Sequence, residues 1–301
     1  RESQMKKIIA VAIAGAFVVP AVHAAEVTLG GEIEYYITDA STGTTGNTAE
    51  NEIKVSVTEE LDNGMTLSGY LNSNNGGTHD SGIAIASGFG TLNIGNGDGD
   101  TAITAMDDKA DVAEQGAGAG SAGTGKTYVN TVRFTPNLGV DGLTVSAGYA
   151  VGAAATDETS DFALQYSVAG FAVSYGEAEV EGSTVTTKNT SVSYTYGPLY
   201  VAMDSVDGKN GVENAKVDAV AVTYNYGPGK IFVETNEVNY TSATGNAVLS
   251  GTDNLKPKTT VVGISYKIGG LNTYVQTLNA DSGTGAATET DTTYIGVEYA
   301  F

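Results

Sequence analysis

The chain has no cysteine and no tryptophan, only 5 prolines, and few basic residues. Without cysteine it can form neither a disulfide framework nor a thiolate metal site. Its 14 basic residues stand against 35 acidic ones, which gives a formal net charge of −21. Because phosphates are bound through lysine and arginine, so acidic a chain repels nucleic acid, and no nucleic-acid partner is expected.

Long apolar runs are also missing, apart from one near the start. Residues 8–19 are apolar, follow the cationic Met5-Lys6-Lys7, and precede small residues that end at Ala24. This pattern is typical of a cleaved signal peptide, and the run is too short to span a bilayer. We expect cleavage to remove residues 1–24, including those before Met5, and to leave residues 25–301 as a single domain.

What the chain does have is alternation of apolar and polar residues. Ile53, Val55 and Val57 alternate with Lys54 and Ser56, and segment after segment repeats this period of two. The segments are about ten residues long, which suits tilted strands that cross a hydrocarbon core. Sixteen strands are predicted, beginning near Val27, Asn51, Met65, Gly82, Thr91, Thr127, Leu143, Ser160, Phe171, Lys188, Leu199, Lys216, Lys230, Thr259, Leu271 and Thr292.

The predicted connections alternate between tight and long. The tight ones are rich in Gly, Pro and Asn, as turns are, and lie at residues 62–64, 87–90, 136–142, 169–170, 197–198, 227–229 and 269–270. The long polar ones lie at 39–50, 74–81, 98–126, 152–159, 177–187, 206–215, 240–258 and 280–291. Short turns on one side and long loops on the other are typical of outer-membrane barrels. The predicted fold class is therefore an all-β, antiparallel, up-and-down transmembrane barrel of about sixteen strands.

Two segments resemble a known family. The last predicted strand, residues 293–301, ends in Phe301 with apolar residues at every second position, and residues 83–95 form a strand, a tight turn and a strand. These features resemble the Gram-negative porins. The resemblance implies that the last strand closes the barrel against the first and that Tyr299 and Phe301 form an insertion signal read by the barrel insertion machinery. It also implies a homotrimer in the bacterial outer membrane.

The same resemblance implies a third external loop that folds into the pore and narrows it. By position the matching loop is residues 96–126. Its candidate constriction residues are the acidic Asp98, Asp100, Asp107, Asp108, Asp111 and Glu114. The family pattern also places basic residues on the opposite wall. Arg133 is the only arginine after the leader, so a dense arginine ladder is not expected here.

Charged residues within the strands are assigned to the inner wall. A charge that faces lipid at the bilayer midplane costs about 2–4 kcal/mol, so the apolar half of each strand is placed outward. The predicted pore-wall residues are then Glu32, Glu34, Glu52, Lys54, Arg133, Asp204, Glu234, Lys267 and Glu298. A net negative lumen favours cations. Tyr194, Tyr196, Tyr224 and Tyr226 border tight turns, where an aromatic girdle is expected.

Three other motifs were weighed. Residues 120–127 match the phosphate-binding loop pattern but lack the preceding strand and the following helix that such a loop needs, so nucleotide binding is not predicted. His79, the one histidine after the leader, lies in a polar stretch with nothing to orient it, and no enzyme activity is expected. Asp98, Asp100, Asp107 and Asp108 are either a Ca²⁺ site or solvated loop charge. No other cofactor is expected.

The hypothesis at this point is a porin that lets small hydrophilic solutes and ions diffuse passively, with a weak preference for cations. One alternative is a substrate-specific channel or a closed barrel that acts as a surface receptor or adhesin, which long external loops would also suit. The other is a soluble secreted β-sandwich or lectin-like domain, whose apolar stripes would be buried between two sheets.

Overall fold

The computed structural model describes residues 25–75, 79–95, 101–103, 109–115, 128–152, 158–210, 213–240, 257–281 and 289–301. The predicted leader, residues 1–24, lies outside these ranges. The described chain forms sixteen strands: β1 (Glu26–Ala40), β2 (Thr45–Glu60), β3 (Thr66–Asn74), β4 (His79–Ser87), β5 (Gly90–Gly95), β6 (Tyr128–Pro136), β7 (Leu143–Gly152), β8 (Thr159–Val168), β9 (Phe171–Val180), β10 (Val185–Tyr196), β11 (Leu199–Asn210), β12 (Glu213–Tyr226), β13 (Gly229–Tyr240), β14 (Lys258–Ile268), β15 (Leu271–Asp281) and β16 (Glu289–Ala300). Within the described ranges, no helix has the length and apolar character needed to cross a membrane.

Each strand pairs antiparallel with the next, and β1 pairs with β16, so the sheet closes into a barrel. At the seam, Gly31 and Phe301 exchange two backbone hydrogen bonds, of 3.1 and 3.0 Å. Closure leaves no sheet edge unpaired, which is the condition for a sheet to exist within lipid. The predicted fold class is confirmed, and the two-sheet sandwich is excluded.

Alternation along the strands separates the two faces of the barrel. In β1, Leu29, Ile33 and Ile37 are exposed on the outer face, whereas Glu32 and Glu34 between them lie inside. Aromatic residues border the tight turns on the outer face, where Tyr194, Tyr196 and Tyr224 are exposed. Tyr226 has the same orientation in β12, and its ring covers Gly229. The expected girdle is therefore present at this end of the barrel.

Charged pairs occupy the outer face near the opposite end of the strands. Lys188 lies 2.9 Å from Glu177, and Lys216 lies 2.8 Å from Asp218. Exposed pairs of this kind add little stability. Their position is informative because charge is costly against hydrocarbon, so they mark where the apolar outer band ends.

Strands that follow tight turns begin within one residue of the predicted positions, but several others begin earlier. The predicted starts at Asn51, Gly82, Lys188, Lys216 and Thr292 are three to six residues late. Four predicted long loops are also wrong: β1 and β2 are joined through residues 41–44, β3 and β4 through 75–78, β9 and β10 through 181–184, and β12 begins three residues after β11 ends. Hairpin hydrogen bonds continue beyond the apolar band, where both faces are polar and the alternation that marks a strand is lost.

The tight turns are also bonded to one another around the barrel. The carbonyl of Gly142 accepts a bond of 2.9 Å from Ser167 N, and the carbonyl of Gly170 accepts one of 2.8 Å from Thr195 N. Both glycines have positive φ, of 77° and 83°. Glycine is required here twice over, by the left-handed backbone and by the close approach of the next hairpin.

Candidate pore and inner wall

The inner wall is divided into a covered half and an open half. On β8 to β15 many inner-face side chains are buried, among them Ala202, Ala219 and Ala221. On β1 to β5 most inner-face side chains are half-buried or exposed. The difference arises because two segments of the β5–β6 connection, residues 101–103 and 109–115, contact the covered half.

Three wall carboxylates accept hydrogen bonds from the backbone of these segments. Asp161, Asp204 and Glu234 lie on β8, β11 and β13, and are 9%, 2% and 0% exposed. Their bonds come from Ile103 N at 2.6 Å, Ala110 N at 2.6 Å, and Val112 N and Ala113 N at 3.0 and 3.2 Å. These amides belong to no strand ladder, and a buried amide without an acceptor is costly. The carboxylates therefore hold the loop backbone against the wall.

The same pattern continues around the barrel on β15 and β1. Gln276 Oε1 accepts from Glu114 N and Gln115 N at 2.9 and 3.1 Å. Glu34 accepts from Gln115 Nε2 at 2.8 Å and from the Tyr274 hydroxyl at 2.7 Å. Residues 110 to 115 thus cross β11, β13, β15 and β1 in turn, with a polar acceptor on each strand.

Small apolar side chains make room for the loop backbone. Ile103 and Ala110 pack with Ala178, Ala202 and Ala219 on the inner wall. In β12 the inner face carries alanine and valine, although Val220, Val222 and Tyr224 already make the outer face apolar in the half of the strand nearer the tight turn. An apolar inner face in a barrel whose interior is otherwise polar indicates that something covers it. That signal was present in the sequence and identifies where the loop docks.

Glu114, one of the predicted constriction charges, is paired with the wall. Its Oε1 lies 3.0 Å from Lys230 Nζ, which also donates to Val112 O at 3.0 Å. Its Oε2 accepts from Asn272 Nδ2 at 3.2 Å. Lys230 and Asn272 were not among the predicted site residues. The charge of Glu114 is therefore balanced by β13 and is not a free carboxylate of the pore.

The open half carries an acidic patch where β1 meets β2 and β16. Glu32 stands directly opposite Glu52, and Glu34 stands opposite both Glu50 and Glu298. Like charges directly opposite one another across two strands are destabilising. Apart from the buried Glu34, these side chains are half-buried or exposed and retain access to water. Such a patch raises the local concentration of cations.

All nine predicted pore-wall residues have inner-face positions in the strand register, but their surroundings differ. Five keep contact with water and can act on a solute: Glu32, Glu52, Lys54, Lys267 and Glu298. Three are buried, and their carboxylates bind the partners given above: Glu34, Asp204 and Glu234. Arg133 donates from Nη1 to the carbonyl of Thr101 at 3.3 Å. The single arginine therefore also holds the loop.

Four of the predicted constriction residues lie outside the described residues: Asp98, Asp100, Asp107 and Asp108. The calcium site proposed there stays a prediction. Asp111 is described and exposed. Among the described residues, no group of three or more His, Cys, Asp or Glu side chains is arranged to hold a metal. Residues 121–127 of the phosphate-loop match are also outside the described ranges, and Tyr128 after them begins strand β6.

Several solved structures resemble this barrel. A loop-deletion variant of OmpT, an outer-membrane protein of Vibrio cholerae, aligns with a TM-score of 0.74 at 18% identity, over 92% of this chain and 100% of that one. The trimer form of OmpT aligns with a TM-score of 0.73 at 16% identity, over 92% and 99%. OmpF of Salmonella typhi in complex with daunomycin gives 0.69 at 14% identity, over 91% and 97%. At these identities the likeness shows the fold.

Membership of a family is established by the sequence itself. The comparison with curated proteins found no match. A family model described as Gram-negative porin matches residues 10–301. That match spans nearly the whole chain and agrees with a closed antiparallel barrel of sixteen strands. The chain therefore belongs to the Gram-negative porin family, and it forms an outer-membrane channel through which small hydrophilic solutes diffuse passively.

Proposed function

We propose that this porin conducts small hydrophilic solutes and ions with a weak preference for cations, and that the preference arises on the open half of the inner wall. The observation that supports this is the acidic patch formed by Glu32, Glu50, Glu52 and Glu298, whose four carboxylates outnumber the two exposed lysines nearby, Lys54 beside Glu32 and Glu52, and Lys267 beside Glu298. An excess of carboxylates along a narrow aqueous path attracts cations and repels anions.

We further propose that the β5–β6 connection, residues 96–126, narrows the pore. Residues 110–115 of this connection are bonded to inner-wall residues on four strands, beginning with Asp204 on β11 and ending with Glu34 on β1. These contacts support a loop held inside the barrel. Asp111 is exposed and would then add to the acidic field that a permeating ion meets.

The preference is tested by reversal potentials in a planar bilayer under a KCl gradient. The wild-type channel should show a cation-biased potential, and Glu32→Gln with Glu52→Gln should move it towards zero because two exposed carboxylates are lost. Glu179→Gln, on the outer face of β9, is the matched control and should have no effect. Unchanged potentials in the double variant would overturn the role of the patch.

The role of the loop is tested separately with Asp107, Asp108 and Asp111 neutralised together. A lower cation preference is expected, and an unchanged reversal potential would contradict a constriction at this loop. Two further outcomes would replace the general pore. Conduction restricted to one solute class, with other solutes of the same size refused, would indicate a substrate-specific channel, and folded protein without conductance would indicate a closed receptor or adhesin.

We also propose a homotrimer whose contact face is the outer surface of β2 to β5. Aromatic residues occur on the outer face of β1, β6 to β10, β12, β14 and β16, but the strands β2 to β5 carry none there, and Phe89 is exposed in the turn between β4 and β5. Aliphatic side chains such as Ile53, Leu71 and Ile83 are exposed there. A girdle ring serves a lipid interface, so its absence over four adjacent strands fits a surface covered by protein.

Two remaining partners stay predictions. The barrel insertion machinery is expected to bind the C-terminal strand through Tyr299 and Phe301, whose rings stack on the outer face with centroids 6.2 Å apart. For Asp98, Asp100, Asp107 and Asp108 two predictions stay open, a calcium site and solvated loop charge. Calorimetric titration of Ca²⁺ into the folded protein that gave no heat would remove this site.

A further inference from the structure

We propose that the inner wall of β1 to β5 contains a binding subsite for small zwitterionic solutes of the amino-acid or dipeptide class. Lys54 would bind the solute carboxylate, and Glu32 with Glu52 would bind its ammonium group. This inference rests on the proposed passage of solutes along the open half of the wall. It adds a chemical class of solute to a function that is otherwise unspecific.

The first part of the subsite is a cavity of about 310 Å³ on β2 to β5. Its polar lining consists of inner-face side chains: Lys54, Ser56, Thr58, Ser68, Tyr70 and Asn93. A volume of this size is at the lower end for ligand sites, so it suits a small solute. Hydroxyl and amide groups can both donate and accept hydrogen bonds, whereas Tyr70 offers an aromatic face.

Lys54 is the anion-binding group of this cavity. Its side chain is exposed, and it forms no ion pair with any residue that the structure describes. Its Nζ lies 5.7 Å from the centroid of the Tyr70 ring, which orients the ammonium without neutralising its charge. Gly82 makes this geometry possible, because a Cβ there would lie 2.5 Å from Tyr70 Cε1.

The second part is an adjoining cavity of about 380 Å³ that contains Glu32 and Glu52 and shares Lys54 and Ser56 with the first. Glu32 and Glu52 are direct cross-strand neighbours. Two carboxylates in this relation repel each other, and a cation between them removes the repulsion. The shared Lys54 places one positive group beside this pair of negative groups, within reach of one small molecule.

The combination of charges selects among solute classes. A simple anion would meet Lys54 but also the acidic patch, which repels it. A simple cation would meet the glutamates but also the ammonium of Lys54. A molecule with one charge of each sign, separated by a few bonds, satisfies both groups. Complementary charge placement of this kind gives specificity more than affinity.

The test is block of single-channel current by glycylglycine added to the purified porin in a planar bilayer. Concentration-dependent block is expected, with much weaker block by N-acetylglycinamide, which is of similar size but uncharged. Lys54→Met should raise the half-blocking concentration about tenfold, the equivalent of about 1.4 kcal/mol. Glu32→Gln with Glu52→Gln should act in the same direction. Lys258→Met, at an exposed lysine on the outer face of β14, is the control and should change nothing.

Each other outcome overturns the subsite in a distinct way. Equal block by N-acetylglycinamide would show that size alone matters, and equal block by acetate would reduce the site to an anion site on Lys54. A conducting channel that glycylglycine never blocks would remove the subsite but leave the proposed diffusion function intact. Folded protein without any conductance would rule out both the subsite and the diffusion function.

Discussion

At the scale of single residues, the inner wall uses the same side-chain chemistry for two purposes. Asp204 and Glu234 are buried and bind loop amides, whereas Glu32 and Glu52 remain accessible and shape the field of the pore. All four are acidic residues at inner-face positions. Their roles differ because the loop covers only one side of the barrel. A carboxylate that accepts backbone amides is fixed in position, and a charged acceptor forms stronger bonds than a neutral one.

Removing one of these acceptors should loosen the loop. Glu234→Ala leaves Val112 N and Ala113 N without an acceptor, and an unsatisfied buried amide costs about 1–3 kcal/mol. We expect hydrogen exchange in residues 109–115 to become about tenfold faster or more, with noisier open-channel current. Glu237→Ala, on the outer face of the same strand, is the control. Unchanged exchange would show that Glu234 does not hold the loop.

At the scale of elements, the hairpins are organised by their tight turns. In five of the seven tight turns a glycine or proline carbonyl accepts a hydrogen bond from the next hairpin: those of Gly142, Gly170, Pro198, Pro228 and Gly270. This is why strand starts after tight turns were predicted within one residue. Strands that follow longer polar stretches carry no such marker. Their starts were predicted up to six residues late, because a hairpin exposed to water on both faces has no apolar alternation.

The turn between β6 and β7 offers a matched pair of glycines. Gly142 and Gly139 both have positive φ, but a Cβ at Gly142 would lie 2.0 Å from Ser167 O, whereas Gly139 has open space around it. Each alanine substitution incurs the left-handed penalty of about 1–2 kcal/mol, and Gly142→Ala also forces two hairpins apart. We expect Gly142→Ala to lower the heat-unfolding temperature clearly more than Gly139→Ala. Equal losses would show that the contact between turns does not contribute.

At the scale of the whole molecule, the barrel presents a different surface on each side. The outer face of β2 to β5 is aliphatic and lacks the aromatic residues found on most other strands. The same strands carry the open inner wall, including Lys54 and Tyr70. The proposed trimer contact would therefore lie on the outer side of the same strands whose inner side solutes pass. Protein packed against the outside of these strands would keep that wall rigid.

Single cysteines can locate the trimer contact, because the chain has none of its own. Leu71→Cys, on the outer face of β3, should be cross-linked between subunits by a short bis-maleimide in outer membranes. Val233→Cys, on the outer face of β13, is equally apolar and exposed and should stay uncross-linked. Cross-linking at Val233→Cys instead of Leu71→Cys would show that the subunits meet at β13 and not at β2 to β5. Cross-linking at neither position would argue against this trimer.

The sequence alone was sufficient to predict the sixteen-stranded barrel, its tight turns and its inward charges. Alternation depends only on which face of a strand meets lipid, and a charge that faces lipid is too costly, so the charged residues are assigned inward. The resemblance of the last strand to the porin family also predicted closure of the barrel, and Phe301 bonds to Gly31 at that seam. These features are local or repeat along the chain, so they can be recognised in each strand separately.

Only the tertiary structure decided which inner residues face water. Glu32 and Glu234 are both acidic and both occupy inner-face positions in their strands. Glu32 nevertheless lines a cavity, whereas Glu234 is covered by residues 112 and 113. The contact of Lys54 with Tyr70, and the pairing of Glu114 with Lys230, likewise join residues from separate strands or from the loop. Such contacts join residues that are far apart in the chain. The apolar inner face of β12 marks the side on which the connection docks, but alternation does not identify which residues meet there.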